Sequence, residues 1–317
     1  MQTSNNPVPV VDFSAFITGN ARDQARVAAE IGRACRQVGF FYLSHHGVDE
    51  ALLRSVFEAS AAFFALPAED KNRVAWRTAE DNLGYVATGR ESLDPEQPGD
   101  FKEAFNITED AAMDPVAAGR RPDNYWPHRP EGFRPLMEAF YRACLATSDQ
   151  VLRAFALDLD LPRDFFVEHH DKHDHGLRLL HYPPVSAGKP ETAPRAGGHT
   201  DYGSITLLFQ DDVGGLEVRD LSGQWRPAPP LPGTILVNTG DLMQRWTNDV
   251  FQSTPHRVGA SLPEHAHRDR YSIAFFGHPN YESDIQCLPA CADENGTGRY
   301  PPINSKTYLL ERLGVTY

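Results

Sequence analysis

The pattern His-x-Asp occurs three times in the chain, at His169-His170-Asp171, His199-Thr200-Asp201 and His267-Arg268-Asp269. Side chains alternate along a β-strand with a period of two, so residues spaced this way share a face. An imidazole and a carboxylate side by side supply two ligands to a metal ion. Context separates the three copies. The first lies in the run HHDKHDH and the third in PEHAHRDR, both polar throughout. Such runs read as solvated linker and loop. Only His199-Thr200-Asp201 leads into an apolar run, SITLLFQ, with Gly197 and Gly198 freeing the backbone ahead of it.

Iron needs a third ligand. His256 opens the strand-like HRVG after Ser253-Thr254-Pro255 and is the candidate. Two His and one carboxylate occupy one face of an octahedron and leave three positions for substrates and O₂. No cysteine is near these residues, which suits iron with N and O donors better than structural zinc. The triad alone fits zinc or manganese too. A fourth clue is Arg270-Tyr271-Ser272 at the head of RYSIAFF. The two-residue repeat puts Arg270 and Ser272 on one face, where a guanidinium and a hydroxyl can grip a carboxylate together. Tyr182, in His181-Tyr182-Pro183, can add a phenol. Taken alone, such an Arg reads better as half of a salt bridge at a sheet edge than as a carboxylate grip.

The elements that must hold these residues fall in two textures. Residues 8–13 read as a short opening strand, and 21–38 as a helix with Asn20 as N-cap and Gly39 as its stop. Phe40-Phe41-Tyr42-Leu43 reads as a strand. A second helix is expected over about 49–65, ended by Pro67, and a third over roughly 131–157. Residues 80–130, rich in Pro, Gly and Asp, look like a long irregular excursion of the kind that carries function. After Leu177 strand-like runs follow one another: LRLLHY, SITLLFQ, LEVRD, TILVNTG, HRVG and RYSIAFFG. With Gly/Pro/Asp/Asn turns between them and no helical pattern before the C-terminal tail, they predict a jelly-roll core. The expected order is helices first, then strands.

Bulk properties exclude other classes. With 30 Lys and Arg against 43 Asp and Glu, the net charge of −13 repels a phosphate backbone, and no basic cluster offsets it. Nucleic acid is therefore not an expected partner. The opening MQTSNNPVPV has neither a charged n-region nor an apolar h-region. No segment approaches the roughly 18 apolar residues of a membrane helix. A soluble, cytoplasmic protein acting on a small molecule is expected. The four cysteines, Cys35, Cys144, Cys287 and Cys291, are expected as reduced thiols. Nothing in the sequence speaks to oligomeric state.

These motifs together resemble the isopenicillin N synthase-like family of iron(II)/2-oxoglutarate-dependent dioxygenases, over nearly the whole chain. The N-terminal part is similar to that family's helical region through Pro9-Val10-Val11-Asp12-Phe13, Gly39-Phe40-Phe41, His46-Gly47-Val48 and Phe63-Phe64-Ala65-Leu66-Pro67. The second half resembles its oxygenase core through His181-Tyr182-Pro183-Pro184, His199-Thr200-Asp201 and Gly214-Gly215-Leu216. It continues through Val237-Asn238-Thr239-Gly240-Asp241, Ser253 to Val258 and Arg270-Tyr271-Ser272. The resemblance implies a mainly β chain with a helical N-terminal part and a double-stranded β-helix core. It places the N-terminal region at 1–120, helical support at 131–176, the jelly-roll core at 177–280 and a C-terminal extension at 281–317.

The same resemblance implies that His199, Asp201 and His256 hold Fe(II). It implies that 2-oxoglutarate chelates the iron and that its far carboxylate meets Arg270, Ser272 and Tyr182. O₂ is the second cosubstrate, with succinate and CO₂ released as a small organic substrate is oxidised, first of all by hydroxylation. Leu180 stands where many members carry Asn, two positions before the Tyr of the Tyr-Pro pair, so any contact of that Asn is missing here. Two rivals stay open. An oxidase of the isopenicillin N synthase type uses iron without 2-oxoglutarate, but the chain's end, LGVTY, has no Gln to serve as that enzyme's extra ligand. A non-catalytic metal-binding protein on the same scaffold is the other. The walls of a substrate pocket are expected from residues 80–130 and the C-terminal tail.

Overall fold

In the computed structural model, residues 8–92, 99–114, 120, 122–184, 195–259, 265 and 267–316 are described. The N-terminal expectations on 1–7 lie outside them. The chain opens with β1 (Val10–Asp12), α1 (Ser14–Thr18), α2 (Ala21–Gln37) and β2 (Phe40–Ser44). Asn20 caps α2 as expected, its side-chain oxygen accepting from the N–H groups of Arg22 and Asp23. Gly39 ends that helix at φ +73°, and a Cβ there would stand 2.3 Å from the Gln252 carbonyl oxygen. Then come α3 (Glu50–Phe64), α4 (Ala68–Asn72), β3 (Gly84–Val86), β4 (Glu103–Thr108), α5 (Phe133–Asp158) and α6 (Phe165–Glu168). The second half runs β5 (Gly176–Tyr182), β6 (Ala196–His199), β7 (Ile205–Gln210), β8 (Leu216–Arg219), β9 (Trp225–Pro227) and β10 (Thr234–Thr239). It closes with α7 (Asp241–Trp246), β11 (His256–Val258), β12 (Arg270–Gly277), β13 (Asp284–Ile285), β14 (Ile303–Asn304) and α8 (Ser305–Thr316).

Two facing sheets make the double-stranded β-helix. The larger has the order β1-β2-β10-β7-β12-β5-β4-β3, the smaller β6-β11-β8-β9. The larger sheet's strand pairs are antiparallel except β1 with β2, which pair in parallel across the α1–α2 connection. Three expectations are thereby corrected. The order is not helices first and strands after, because β1, β2, β3 and β4 extend the same sheet as the later strands. The stretch 80–130 is not wholly irregular: Glu103–Thr108 is a fully buried strand paired along its length with β5. Its polar residues hid it, since their partners come from distant chain segments. And α7 interrupts the strand series, a single turn and a half too short to show a periodicity.

Helix α5 covers the outer face of the large sheet. Phe140 meets Phe209 of β7 at 5.0 Å between ring centroids, and Tyr141 meets Phe275 of β12 at 5.2 Å. Each such aromatic buried is worth about 1.5–3 kcal/mol, so this layer fixes β7 and β12 firmly. Gly32 lets α2 lie against α5, for a Cβ there would fall 2.1 Å from the Asp158 carboxyl. A second apolar cluster, including Phe40, Tyr42, Leu180, Tyr182, Leu216, Leu236 and Val258, fills the space between the two sheets. The polar site sits inside it.

Candidate active site

His199 ends β6 and His256 begins β11, and the two are directly paired across the small sheet. Cross-strand neighbours stand close enough to touch, and here the ring centroids are 4.4 Å apart. Asp201 corrects the simplest reading of the spacing. It does not share a strand with His199 but lies just past the end of β6, where the chain crosses towards β7. That crossing is tight. A Cβ on Gly240 would meet the Gly203 carbonyl oxygen at 2.4 Å and that of Asp201 at 2.8 Å. The outcome is the same as on a strand: one ligand atom from each of His199, Asp201 and His256 lies within 4.8 Å of the others.

Hydrogen bonds decide which atoms are free. The Nδ1–H of His199 donates to the Gly197 carbonyl at 2.9 Å, and that of His256 to the Thr254 carbonyl at 3.2 Å. Each ring therefore keeps its Nε2 lone pair. Asp201 Oδ2 accepts from Thr206 Oγ1 at 2.6 Å and from Asn238 Nδ2 at 2.7 Å. Its Oδ1 is left 3.7 Å from His256 Nε2. Burial opposes the Asp201 charge, yet His256, His199 and these two hydrogen bonds hold its carboxyl below the usual carboxylate range. Burial, then the neighbouring His256, pushes the His199 imidazole down. A carboxylate and two imidazoles, with two nitrogens and one oxygen free and their other atoms anchored, fit a divalent metal with N/O preference.

Arg270 is 1% exposed. Its Nε donates to the Gly214 carbonyl at 2.7 Å, Nη1 to Ser272 Oγ at 3.3 Å and Nη2 to Gln210 Oε1 at 3.2 Å. The Tyr182 ring, its partner in the β5–β12 register, lies 4.7 Å from the guanidinium carbon. Every one of these partners is neutral, and among the described residues no carboxylate is within ion-pair reach of Arg270. A buried cation in such surroundings fits an anionic ligand. Leu180, opposite Ser272, is an apolar wall of the same cavity.

That cavity, about 960 Å³ with its mouth included, joins His199, Asp201 and His256 to Arg270 and Ser272. Its far walls bear out the expected origins, with Asn82, Glu91 and Lys102 from the long excursion and Leu309, Leu313 and Thr316 from α8. Sequence reasoning missed Thr206, Gln210 and the cluster of buried Glu91, Asp100 and Lys102 with half-buried Arg178. Glu91 takes two hydrogen bonds from Arg178, at 2.9 and 2.6 Å, and lies 3.2 Å from Lys102 Nζ, which also pairs with Asp100. Only Asp100 and Lys102 are close in the chain, and no local signal ties them to Glu91 or Arg178.

The other two His-x-Asp copies bind elsewhere. The run HHDKHDH is no solvated linker: His170, Asp174 and His175 are buried. His170 Nδ1–H donates to the Phe166 carbonyl at 2.6 Å, Asp171 accepts from Asn280 Nδ2 at 2.8 Å, and His173 Nδ1–H donates to Glu109 at 2.9 Å. A polar run can be interior where every group finds a partner. Asp269 accepts from His181 Nε2 at 2.6 Å, while His267 is exposed. Neither copy contributes to the wall of the triad's cavity.

Comparison with known proteins settles the family. Residues 8–129 match the model of the N-terminal region of non-haem dioxygenases in morphine synthesis, and residues 173–279 match that of the 2OG-Fe(II) oxygenase superfamily. The chain belongs to the 2OG-Fe(II) oxygenases. It is 32% identical to the 2-oxoglutarate-Fe(II) type oxidoreductase ppzC of Metarhizium majus, over 97% of this chain and 87% of that protein. It is 34% identical to the proline hydroxylase buaE of Petromyces alliaceus, over 97% of this chain and 98% of that one. Among solved structures, a full-length Neurospora crassa protein in complex with alpha-KG and thymine superposes with a TM-score of 0.89 at 38% identity, covering 100% of this chain and 99% of that one. This oxygenase thus uses Fe(II), O₂ and 2-oxoglutarate. No helix among its described residues is long and apolar enough to cross a membrane.

Proposed function

We propose that His199, Asp201 and His256 hold the Fe(II), and that Arg270, Ser272 and Tyr182 receive the distal carboxylate of 2-oxoglutarate. One observation carries the reading: each ligand has its second polar atom anchored, leaving two Nε2 atoms and one carboxylate oxygen free in one cavity. Bound iron supplies O₂ activation coupled to cosubstrate decarboxylation. The chain does the positioning. Gly197 and Thr254 fix the imidazole tautomers, and Thr206 and Asn238 keep Asp201 ionised and turned inwards. Leu180, Leu216 and Val258 keep the site dry.

The substrate is read as a small, uncharged organic molecule that undergoes hydroxylation. The charged groups lining the outer cavity, Glu91, Lys102 and Arg178, are all paired, Glu91 with both cations and Lys102 also with Asp100 behind the wall, and the remaining surface includes Leu208, Phe276, Leu309 and Leu313. No unpaired charge is offered to a charged substrate. The four cysteines are free thiols, which supports the cytoplasmic location expected from sequence. The test is a screen for compounds that stimulate succinate release from 2-oxoglutarate by Fe(II)-loaded enzyme. Neutral small molecules should stimulate it, and a charged amino acid or dicarboxylate as the best substrate would contradict the reading.

A further inference from the structure

Arg195, just ahead of β6, is 2% exposed, and its Nε, Nη1 and Nη2 all lack a hydrogen-bond partner. It is not a surface side chain folded inwards by chance, because its backbone is built into the small sheet. Its N–H donates to the Val258 carbonyl at 2.9 Å, and Val258 and the next residue, Ala196, both line the cavity. Val258 pairs with Leu216, which closely follows Gly214, the residue whose carbonyl takes Arg270 Nε. Two buried guanidiniums therefore share one end of the barrel. Burial, then Arg270, pulls the Arg195 guanidinium down from its ordinary range.

The acids on the elements around this end are already committed. Asp211 accepts from the N–H groups of Tyr271 and Val213. Asp212 pairs with Arg268, Glu217 with Arg257, and Asp269 with His181. A buried guanidinium with no acceptor is among the costliest groups a fold can keep, and a second cation beside it adds repulsion. An anion arriving from solution relieves both.

We propose that Arg195 is a second cation for the distal carboxylate of the 2-oxo acid, acting beside Arg270, so that the site selects a dicarboxylate over a 2-oxo monoacid. The proposal rests on the reading of Arg270 and Ser272 as the carboxylate's seat. Arg195 is a binding and positioning residue, and its effect belongs to cosubstrate affinity before any chemistry.

The experiment is equilibrium dialysis of radiolabelled 2-oxoglutarate, and of 2-oxovalerate, against full-length protein loaded with Mn(II). Wild type, Arg195→Met, Arg195→Lys and Arg270→Ala are compared. Arg195→Met should weaken 2-oxoglutarate by about tenfold or more, the effect of a lost charged hydrogen bond, and leave 2-oxovalerate, which lacks the distal carboxylate, unchanged. Arg195→Lys should recover part of the loss, and it keeps the test open if the Met variant does not fold. The metal-free Arg195→Met protein should melt no lower than wild type, because an unpaired buried charge has gone. Unchanged 2-oxoglutarate affinity, or equal weakening of both acids, overturns the proposal. If Arg270→Ala weakens 2-oxoglutarate while Arg195→Met does not, Arg195 alone is misread. If neither does, the seat itself is wrong.

Discussion

Removing the two donors behind Asp201 should loosen the metal without touching a ligand. Thr206 and Asn238 are directly paired across β7 and β10, and both side chains converge on Asp201 Oδ2, at 2.6 and 2.7 Å. Both donors are buried, so no water replaces a deleted one at low cost. A hydrogen bond to a buried charge is worth about 1.5–3 kcal/mol, and losing it leaves the carboxylate free to turn away from the imidazoles. Only the share of that energy that differs between metal-bound and metal-free protein appears in affinity. Thr206→Val and Asn238→Leu should therefore each weaken Fe(II) binding about 10- to 100-fold, the usual range for such supporting bonds. Thr206→Val keeps the side chain's shape, so β7 stays packed. The assay is anaerobic Fe(II) titration against a competing chelator, with near-ultraviolet circular dichroism as the check on folding. Folded variants that bind iron as wild type does would refute the argument that these bonds orient Asp201.

Arg270→Ala should raise the KM for 2-oxoglutarate by about tenfold or more, from the roughly 1.5–3 kcal/mol of a charged hydrogen bond, with iron affinity unchanged. Arg270→Lys should rescue only part, since it keeps the charge and loses the fork. Asp171→Ala and Asp269→Ala should leave Fe(II) titrations as in wild type, because their carboxylates serve Asn280 and His181. The last expectation concerns acid stability. Burial holds His170 at about 3, against 6.5 in the unfolded chain. Its stabilising contribution is thus whole above pH 6.5 and falls as the pH drops towards 3, by about 1.4 kcal/mol per pH unit, since only the unfolded chain takes up the proton. Urea unfolding at about pH 7 and about pH 5.5, either side of the ordinary His value, should show a shallower pH dependence for His170→Gln than for wild type, and parallel dependences would contradict this.

The proposed reactive centre is legible because its spacing is short-range. His199 with Asp201, and Arg270 with Ser272, are two residues apart, and His256 opens a strand with its own Thr-Pro signature. The helices around it were legible through periodicity and caps, as with Asn20 and Gly39. What escaped was whatever depends on long-range pairing. Glu103–Thr108 carries polar side chains into the interior because Lys71, Tyr85 and His181 meet Glu103 there. The run HHDKHDH looked solvated because nothing nearby in sequence shows Phe166, Ser204 or Asn280 closing on it. Arg195 is silent for the same reason. Its meaning comes from Arg270, brought beside it only when the two sheets close.

Anaerobic Fe(II) titration of wild type and Asp201→Ala, followed by 2-oxoglutarate-dependent succinate formation in air, tests the centre most directly. Wild type should bind a single ferrous ion per chain and release succinate only when 2-oxoglutarate is present. Asp201→Ala, without the one anionic ligand, should lose both properties. An Asp201→Ala protein that still bound one iron tightly and formed succinate would contradict the assignment of His199, Asp201 and His256.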